Sequence, residues 1–152
     1  MKFFKHGWLI LTVVMLLMAL AGCGESGKTG TAATTPPAGE PAYAFAMAEA
    51  LLQAIDDGDY GAFSKNFDEA MKLAMTEVVF SQLKDLIRSK IGTYSSMEFV
   101  SVQAKDGYTV VTYKAKYSNE PGDVTVAVTF SESGGTALVS GLWFDSPKLR
   151  EK

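Results

Sequence analysis

Residues 124–130 read Val-Thr-Val-Ala-Val-Thr-Phe, and this regular alternation of large apolar residues with Thr or Ala is the strongest structural signal in the chain. Successive side chains of a β-strand point to opposite faces of the sheet, so the pattern predicts a strand with one buried and one exposed face. Antiparallel sheets commonly have this half-buried character. The stretch therefore predicts an antiparallel sheet that is packed on one side.

Three other stretches share this period, and turn residues separate all four. The predicted strands are Met97–Ala104, Tyr108–Ser118, Val124–Ser131 and Ala137–Phe144. The predicted turns are Asp106-Gly107, residues 119–123 and Gly134-Gly135. Asp-Gly between two alternating strands is a strong hairpin signal. The second half of the chain is thus predicted to be a four-stranded meander.

The chain before Gly92 has the 3.6-residue period of helices instead. The predicted helices are Tyr43–Ile55, Tyr60–Phe67 and Asp68–Lys90, the last with a break near Thr76 as an alternative. Gly58 is expected to end the first helix, Asp59 to cap the second and Gly92 to follow the third. Helices followed by a meander predict an α+β domain with the helices on one face of the sheet.

The first 22 residues have the layout of a secretory signal. Lys2 and Lys5 precede an apolar run of 13 residues from Trp8 to Leu20. As a helix this run would reach only about 20 Å, short of the ~30 Å hydrocarbon core of a bilayer. We therefore expect residues 1–22 to be a signal peptide rather than a permanent membrane span.

Leu20, Ala21, Gly22 and Cys23 resemble the bacterial lipobox. The resemblance implies that the Cys23 thiol is lipidated, that cleavage precedes it and that the exported protein is anchored to the cell membrane. In a cell with two membranes, the absence of Asp at position 24 favours the outer membrane. The alternative is an ordinary signal peptide with a cysteine at its cleavage site. Residues 23–41 would then be the lipidated Cys and a tether, since 14 of the 18 residues after Cys23 are Gly, Thr, Ala or Pro.

Composition excludes several functions for the remaining domain, residues 42–149. The chain has 14 basic and 17 acidic side chains and no basic run, so it lacks the electrostatic features of nucleic-acid binding. Its only His is His6 and its only Cys is Cys23, both lost or lipidated on processing. Ser-His-Asp and Cys-His catalysis and Cys/His metal sites are thereby excluded, and we expect no cofactor.

Short motifs in the helices and the last strand resemble a known family. They are Gly58-Asp59-Tyr60, Phe67-Asp68-Glu69-Ala70-Met71-Lys72, Leu83 with Gly92, and Gly141-Leu142-Trp143-Phe144. Together they resemble the DUF3887 family, and the order of segments is similar to the NTF2-like (cystatin-like) superfamily. The resemblance implies a cone, with N-terminal helices packed on a curved four-stranded antiparallel sheet. It also implies pairing of two copies through the open sheet face, giving a homodimer.

Aromatic residues are the leading candidates for a binding site. By the same resemblance, Phe63, Phe67, Met71, Tyr113 and Trp143 are expected to line an apolar pocket between helices and sheet; core packing is the alternative. The hypothesis is a non-enzymatic module that binds a small apolar ligand or a protein partner. The alternative is a small isomerase or lyase that uses Asp and Tyr in that pocket.

Three other clusters have simpler interpretations. Residues 56–59, Asp-Asp-Gly-Asp, lack the ligand spacing of a calcium-binding EF-hand and are interpreted as a helix end followed by a helix start. The methionines Met47, Met71, Met75 and Met97 are interpreted as core residues rather than a soft-metal site. Lys114 and Lys116 share one strand face, which is interpreted as solvated, with a small anion site as the alternative.

Overall fold

The computed structural model describes residues 38–152, in which helices come first and strands follow. The signal peptide, the lipobox and Cys23 lie outside the described residues, as does the predicted tether up to residue 37. The helices are α1 (Ala44–Asp57), α2 (Tyr60–Ser64), α3 (Glu69–Ala74), α4 (Glu77–Lys90) and α5 (Pro147–Arg150). The strands are β1 (Tyr94–Lys105), β2 (Tyr108–Tyr117), β3 (Glu120–Ser133) and β4 (Thr136–Asp145). Within the described part, no helix is both long and apolar enough to cross a bilayer.

The four strands form one antiparallel sheet in the order β1-β2-β3-β4, which confirms the predicted meander and the α+β class. One turn is tighter than predicted. β2 and β3 are joined at Ser118 and Asn119, and Tyr117 pairs with Glu120. Residues 121–123 belong to β3 but have no partner on β2, because Pro121 lacks the N–H that a ladder requires and the strand bulges there.

The predicted long third helix is two helices. Asp68 caps α3, and Thr76 begins α4 by accepting a hydrogen bond from the Val79 N–H at 3.5 Å. The break near Thr76 is therefore confirmed. Asp59 caps α2, also as predicted, since its carboxylate accepts from the Ala62 N–H at 2.9 Å. Gly58 ends α1 with a left-handed φ of 72°.

One core fills the space between the helices and the inner face of the sheet. α1 buries its apolar stripe there, including Leu52 and Ile55, and α2 contributes Phe63. The inner face is built from alternate residues of the strands, which on β2 and β3 are Val111, Tyr113, Ala115, Val124, Val126, Val128 and Phe130. The other face of the sheet is covered by none of the described helices, so side chains on it are at least partly accessible.

Candidate functional site

The structure does not bring the five predicted pocket residues together. Phe63 and Tyr113 are 0% exposed, Phe67 is 2% and Met71 is 6% exposed, so almost no water-sized space adjoins them. The Phe63 ring packs edge-on against Phe67 at 5.0 Å between centroids. These four residues are core residues, as in the alternative interpretation.

The prediction that Trp143 lines the pocket is wrong, because this residue lies on the opposite, open face of the sheet. It pairs with Ala127 and is 55% exposed. Simple alternation from the buried Val139 would point it inward, but the register shifts at Ser140: Phe130 pairs with Val139 and Thr129 with Gly141. One extra residue in a strand exchanges the faces of all residues after it.

A polar cleft lies instead between α1 and the start of β1. Its volume is about 370 Å³, and its lining residues are Glu49, Gln53, Asp56, Asp57, Tyr94 and Ser95. Glu49, Gln53 and Asp56 follow one another at helical spacing, so α1 presents them on one side. The opposite wall consists of Tyr94 and Ser95, the first two residues of the edge strand β1. The cleft is therefore a junction of helix and strand, lined by three carboxylates.

Asp56 fixes that junction. Its Oδ2 accepts a hydrogen bond of 2.7 Å from the Tyr94 N–H, and its carbonyl oxygen accepts one of 3.2 Å from Arg88 Nη1. Burial raises the pKa of the Asp56 carboxyl and Asp57 adds to this effect, outweighing the opposing effects of the Tyr94 N–H and Arg88. The Asp56 carboxylate is thus both a structural link and a partly desolvated negative charge in the cleft wall.

Two tyrosine hydroxyls are buried behind this wall without a partner. Tyr94 and Tyr117 are opposite each other in the β1–β2 register, and their rings pack edge-on at 5.9 Å. Neither hydroxyl has a hydrogen-bond partner among the described residues. Burial and the charge of Glu49 raise the pKa of Tyr94 to about 12, and burial followed by the charge of Asp56 raises that of Tyr117. Both hydroxyls therefore keep their protons, and each retains an unused donor and acceptor among the described residues.

The chemistry of this cleft suits an organic cation. An ammonium group has three donors and no acceptor, which matches carboxylate and hydroxyl oxygens. Among the described residues, no group of three or more His, Cys, Asp or Glu side chains is arranged to hold a metal ion. The cleft thus offers acceptors of the kind that an ammonium group requires.

Sequence reasoning identified this site only in part. The sequence pattern at residues 56–59 indicates a helix end, and no pattern assigns a role to Glu49 or Tyr94. The available signal was the helical spacing of Glu49, Gln53 and Asp56, which indicates one polar side of α1. What places Tyr94 opposite that side is a hydrogen bond to Asp56 across 38 positions of sequence, which has no local pattern.

The other candidate clusters have structural roles. Lys116 forms an ion pair of 2.5 Å with Asp123, and Lys114 lies 3.8 Å from the same carboxylate. The strand face that they share is exposed and its charge is compensated, which favours the solvated interpretation over an anion site. Met71 and Met97 are buried, and Met47 and Met75 pack against the core. A second depression, about 380 Å³ at the β1–β2 turn, has Lys105, Asp106 and Glu132 in its walls, all exposed.

Comparisons with solved structures find similar arrangements of helices and strands. Bd1075 of Bdellovibrio bacteriovorus has 13% identity and a TM-score of 0.42, with 65% of this chain and 37% of that one covered. An NTF2-like protein of unknown function from Burkholderia xenovorans has 15% identity and a TM-score of 0.37, covering 67% and 82%. Another from Cytophaga hutchinsonii has 10% identity and a TM-score of 0.33, covering 65% and 87%.

No curated protein sequence matches the chain. A family model does match it, over residues 48–134, which include most of α1 and the whole of α2 to α4 and of strands β1 to β3. The model describes proteins of unknown function under the designation DUF3887. Since the match covers more than half of the chain, the protein belongs to the DUF3887 family.

Proposed function

We propose that the protein is an exported, membrane-anchored binding module without catalytic activity, and that its α1–β1 cleft binds a small ligand or peptide end carrying a cationic amino group. The observation that carries this proposal is the cleft of three carboxylates, one wall of which is Tyr94, whose buried hydroxyl has no partner among the described residues. An unsatisfied buried hydroxyl costs about 1–3 kcal/mol, a cost that a bound ligand or water would remove.

The proposal changes the expected ligand from apolar to cationic. The aromatic residues that were expected to line an apolar pocket are packed in the core or lie on the open face of the sheet. Glu49, Asp56 and Asp57 give the cleft a negative potential that repels anions. Charge complementarity then selects amines over neutral molecules of the same shape.

The test is thermal unfolding of the full chain in the presence of 1,5-diaminopentane. Pentane-1,5-diol is the matched neutral control. We expect the diamine to raise the thermal midpoint in a concentration-dependent way and the diol to leave it unchanged. The double variant Glu49→Gln/Asp56→Asn should lose the response, while Asp85→Asn, an exposed acid on α4, should keep it. Equal shifts with diamine and diol, or a full response in the double variant, would contradict the proposal.

Anchoring at the membrane is a separate part of the proposal. It rests on the lipobox-like residues Leu20 to Cys23 and on the apolar run before them. Two or more acyl chains are needed for durable attachment, because one chain holds only weakly. Cells given labelled palmitate should incorporate it into the wild-type chain and not into Cys23→Ala. Equal labelling of both chains would refute the anchor.

Protein interaction through the open sheet face is a second candidate function. Ser101, Thr112, Ala127 and Trp143 form a row across this face, and Trp143 is more than half exposed at its end. An exposed tryptophan on a row of small side chains is typical of the anchor residues of interfaces. A second copy of the chain is the partner that we propose for this face.

The alternative of an isomerase or lyase has less support. Two described carboxylates are buried, Glu40 and Glu120. Glu120 is engaged in structure, since it accepts a 3.2 Å hydrogen bond from the Lys148 N–H at the start of α5. Glu40 accepts a hydrogen bond from Tyr113, which is fully buried and thus out of reach of a substrate in this conformation.

A further inference from the structure

Glu40 is a buried acid that has no neutralising partner within residues 38–152. It precedes α1, in the part of the sequence that was predicted to be tether, yet it is only 8% exposed. Its Oε1 accepts a hydrogen bond of 2.7 Å from the hydroxyl of Tyr113, on the inner face of β2. Its Oε2 is buried, and among the described residues it has no hydrogen-bond partner and Glu40 takes part in no ion pair.

This arrangement costs free energy. A buried carboxylate is stable when several donors or a cation compensate its lost hydration, and Glu40 has one donor. An apolar side chain would fill the same space without that cost. The position is therefore occupied by a carboxylate although packing alone would favour a hydrocarbon.

The surroundings of Glu40 are those of a binding position for an acid. Burial raises the pKa of Tyr113 and the hydrogen bond to Glu40 raises it further, so the hydroxyl stays protonated and donates. The rings of Phe45 and Phe99 lie edge-on to Tyr113 at 6.3 and 6.4 Å. One hydroxyl donor among aromatic walls suits a carboxylate that has a small apolar body.

We propose that Tyr113 is the donor of a carboxylate-binding position which the chain's own Glu40 occupies, and that a small apolar monocarboxylate takes this position when the Glu40 side chain is withdrawn. For Tyr113 the exchange changes the free energy little, because a hydrogen bond to one carboxylate replaces a hydrogen bond to another. For the two carboxylates it is nearly even as well, because Glu40 regains the hydration that the incoming acid loses. Burial of the acid's apolar body beside the aromatic rings supplies the net gain. Binding of the acid would thereby release the segment in front of α1.

This position is distinct from the α1–β1 cleft, and neither proposal depends on the other. The cleft would bind cations, whereas Tyr113 would bind an anion, and the two share no residue. Glu40 also lies before residue 48, where the match to the family begins. The carboxylate is therefore contributed by a segment outside the matched part of the chain.

The test exploits the shape of the vacated space. Glu40→Ala removes the atoms of an acetate ion, so acetate should refill the space and restore the hydrogen bond. We expect 100 mM sodium acetate to raise the thermal midpoint of the full-length Glu40→Ala chain by about 4 °C relative to 100 mM sodium chloride. In the wild type the tethered Glu40 competes with acetate for the position, so the difference should be smaller than in Glu40→Ala. The double variant Glu40→Ala/Tyr113→Phe, which lacks the donor, should show no difference.

Two results would overturn the proposal: no acetate effect on Glu40→Ala, or an equal effect on the double variant. Should Glu40→Ala be unfolded in chloride, the same comparison is made during refolding, followed by the recovery of far-ultraviolet circular dichroism. Recovery in acetate but not in chloride then supports the binding position, and failure in both salts refutes it. Propionate and benzoate extend the series to larger apolar bodies once acetate is active.

Discussion

Ser140 donates a hydrogen bond of 2.5 Å to Asp68, 72 residues earlier in the chain, and so connects the bulge of β4 to the start of α3. Asp68 also accepts from the Met71 N–H at 2.8 Å and from the Ser131 hydroxyl at 3.3 Å. Its own N–H donates to the Val139 carbonyl at 3.0 Å. One side chain thus caps a helix and fastens the edge strand β4 to the helical layer.

Asp68→Ala is expected to destabilise the domain strongly. It removes the α3 cap, whose loss alone costs about 0.5–2 kcal/mol, and leaves the hydroxyls of Ser131 and Ser140 without their acceptor. Asp68→Asn should lose less, because Asn is also a good cap residue. Urea unfolding at pH 7 measures both variants. Equal loss in the two would show that the negative charge, and not the cap, determines the effect.

The stabilising effect of Asp68 is also expected to depend on pH. Hydrogen bonds from Ser140 first, and from the Met71 N–H next, hold the pKa of Asp68 below its usual value of 3.8. A lowered pKa in the folded state stabilises the fold above the unfolded pKa, and this contribution disappears as the pH falls through the folded value. The stability gap between wild type and Asp68→Asn should thus narrow between pH 5 and pH 2. A gap that stays constant over this range would contradict the charged hydrogen bonds.

Gly92→Ala is expected to be among the most damaging substitutions at a glycine. Gly92 has a φ of +86°, and an added Cβ would overlap the Ser118 hydroxyl and lie 3.1 Å from the Asn119 nitrogen. Gly107→Ala is the matched control, since its φ is +83° but nothing lies within 4 Å of the new Cβ. The control should cost about 1 kcal/mol for its backbone conformation alone, and Gly92→Ala should cost at least about 2 kcal/mol more. Similar unfolding free energies would mean that the loop around Ser118 yields easily.

Tyr117→Phe is expected to separate stability from binding. Removing a buried hydroxyl that has no partner should leave the domain equally stable or stabilise it by up to about 1 kcal/mol. Because Tyr117 is not among the residues that line the cleft, the variant should keep its affinity for 1,5-diaminopentane. Thermal unfolding with and without the diamine measures both effects. A clear loss of stability would indicate that the hydroxyl has a partner, such as a bound water.

Tyr94 is expected to limit the stability of the domain at alkaline pH. Its pKa is raised from 10.0 to about 12 by burial and by the charge of Glu49. A raised folded pKa gives stability that is complete below the unfolded value and is lost as pH rises from 10 through 12. Tyr94→Phe should therefore lose less stability than the wild type over this range. Tyr108→Phe, which alters an exposed tyrosine, should behave like the wild type.

Sequence patterns predict the elements whose signals are local. The alternation at residues 124–130, the glycine at position 58 and the cap at Thr76 each specify the backbone within a few residues. Glu40 and Trp143 could not be placed in this way. Glu40 stands in a stretch typical of linkers and is buried through one contact 73 positions away, and Trp143 changes face because of a single extra residue in β4. Long-range pairing and bulges have no reliable periodic signal in one sequence.

Trp143→Thr tests the proposal that the open sheet face binds a second copy. Threonine suits a strand, and Trp143 is 55% exposed, so the free energy of unfolding should change by less than about 1 kcal/mol. Sedimentation velocity over a range of concentrations should show weaker self-association than for the wild type, because an anchor aromatic is lost from the interface. Leu73→Gln, at an exposed apolar residue of α3, is the matched control and should leave self-association unchanged. If Trp143→Thr associates as the wild type does, or if both chains are monomers at every concentration, this face does not pair two copies.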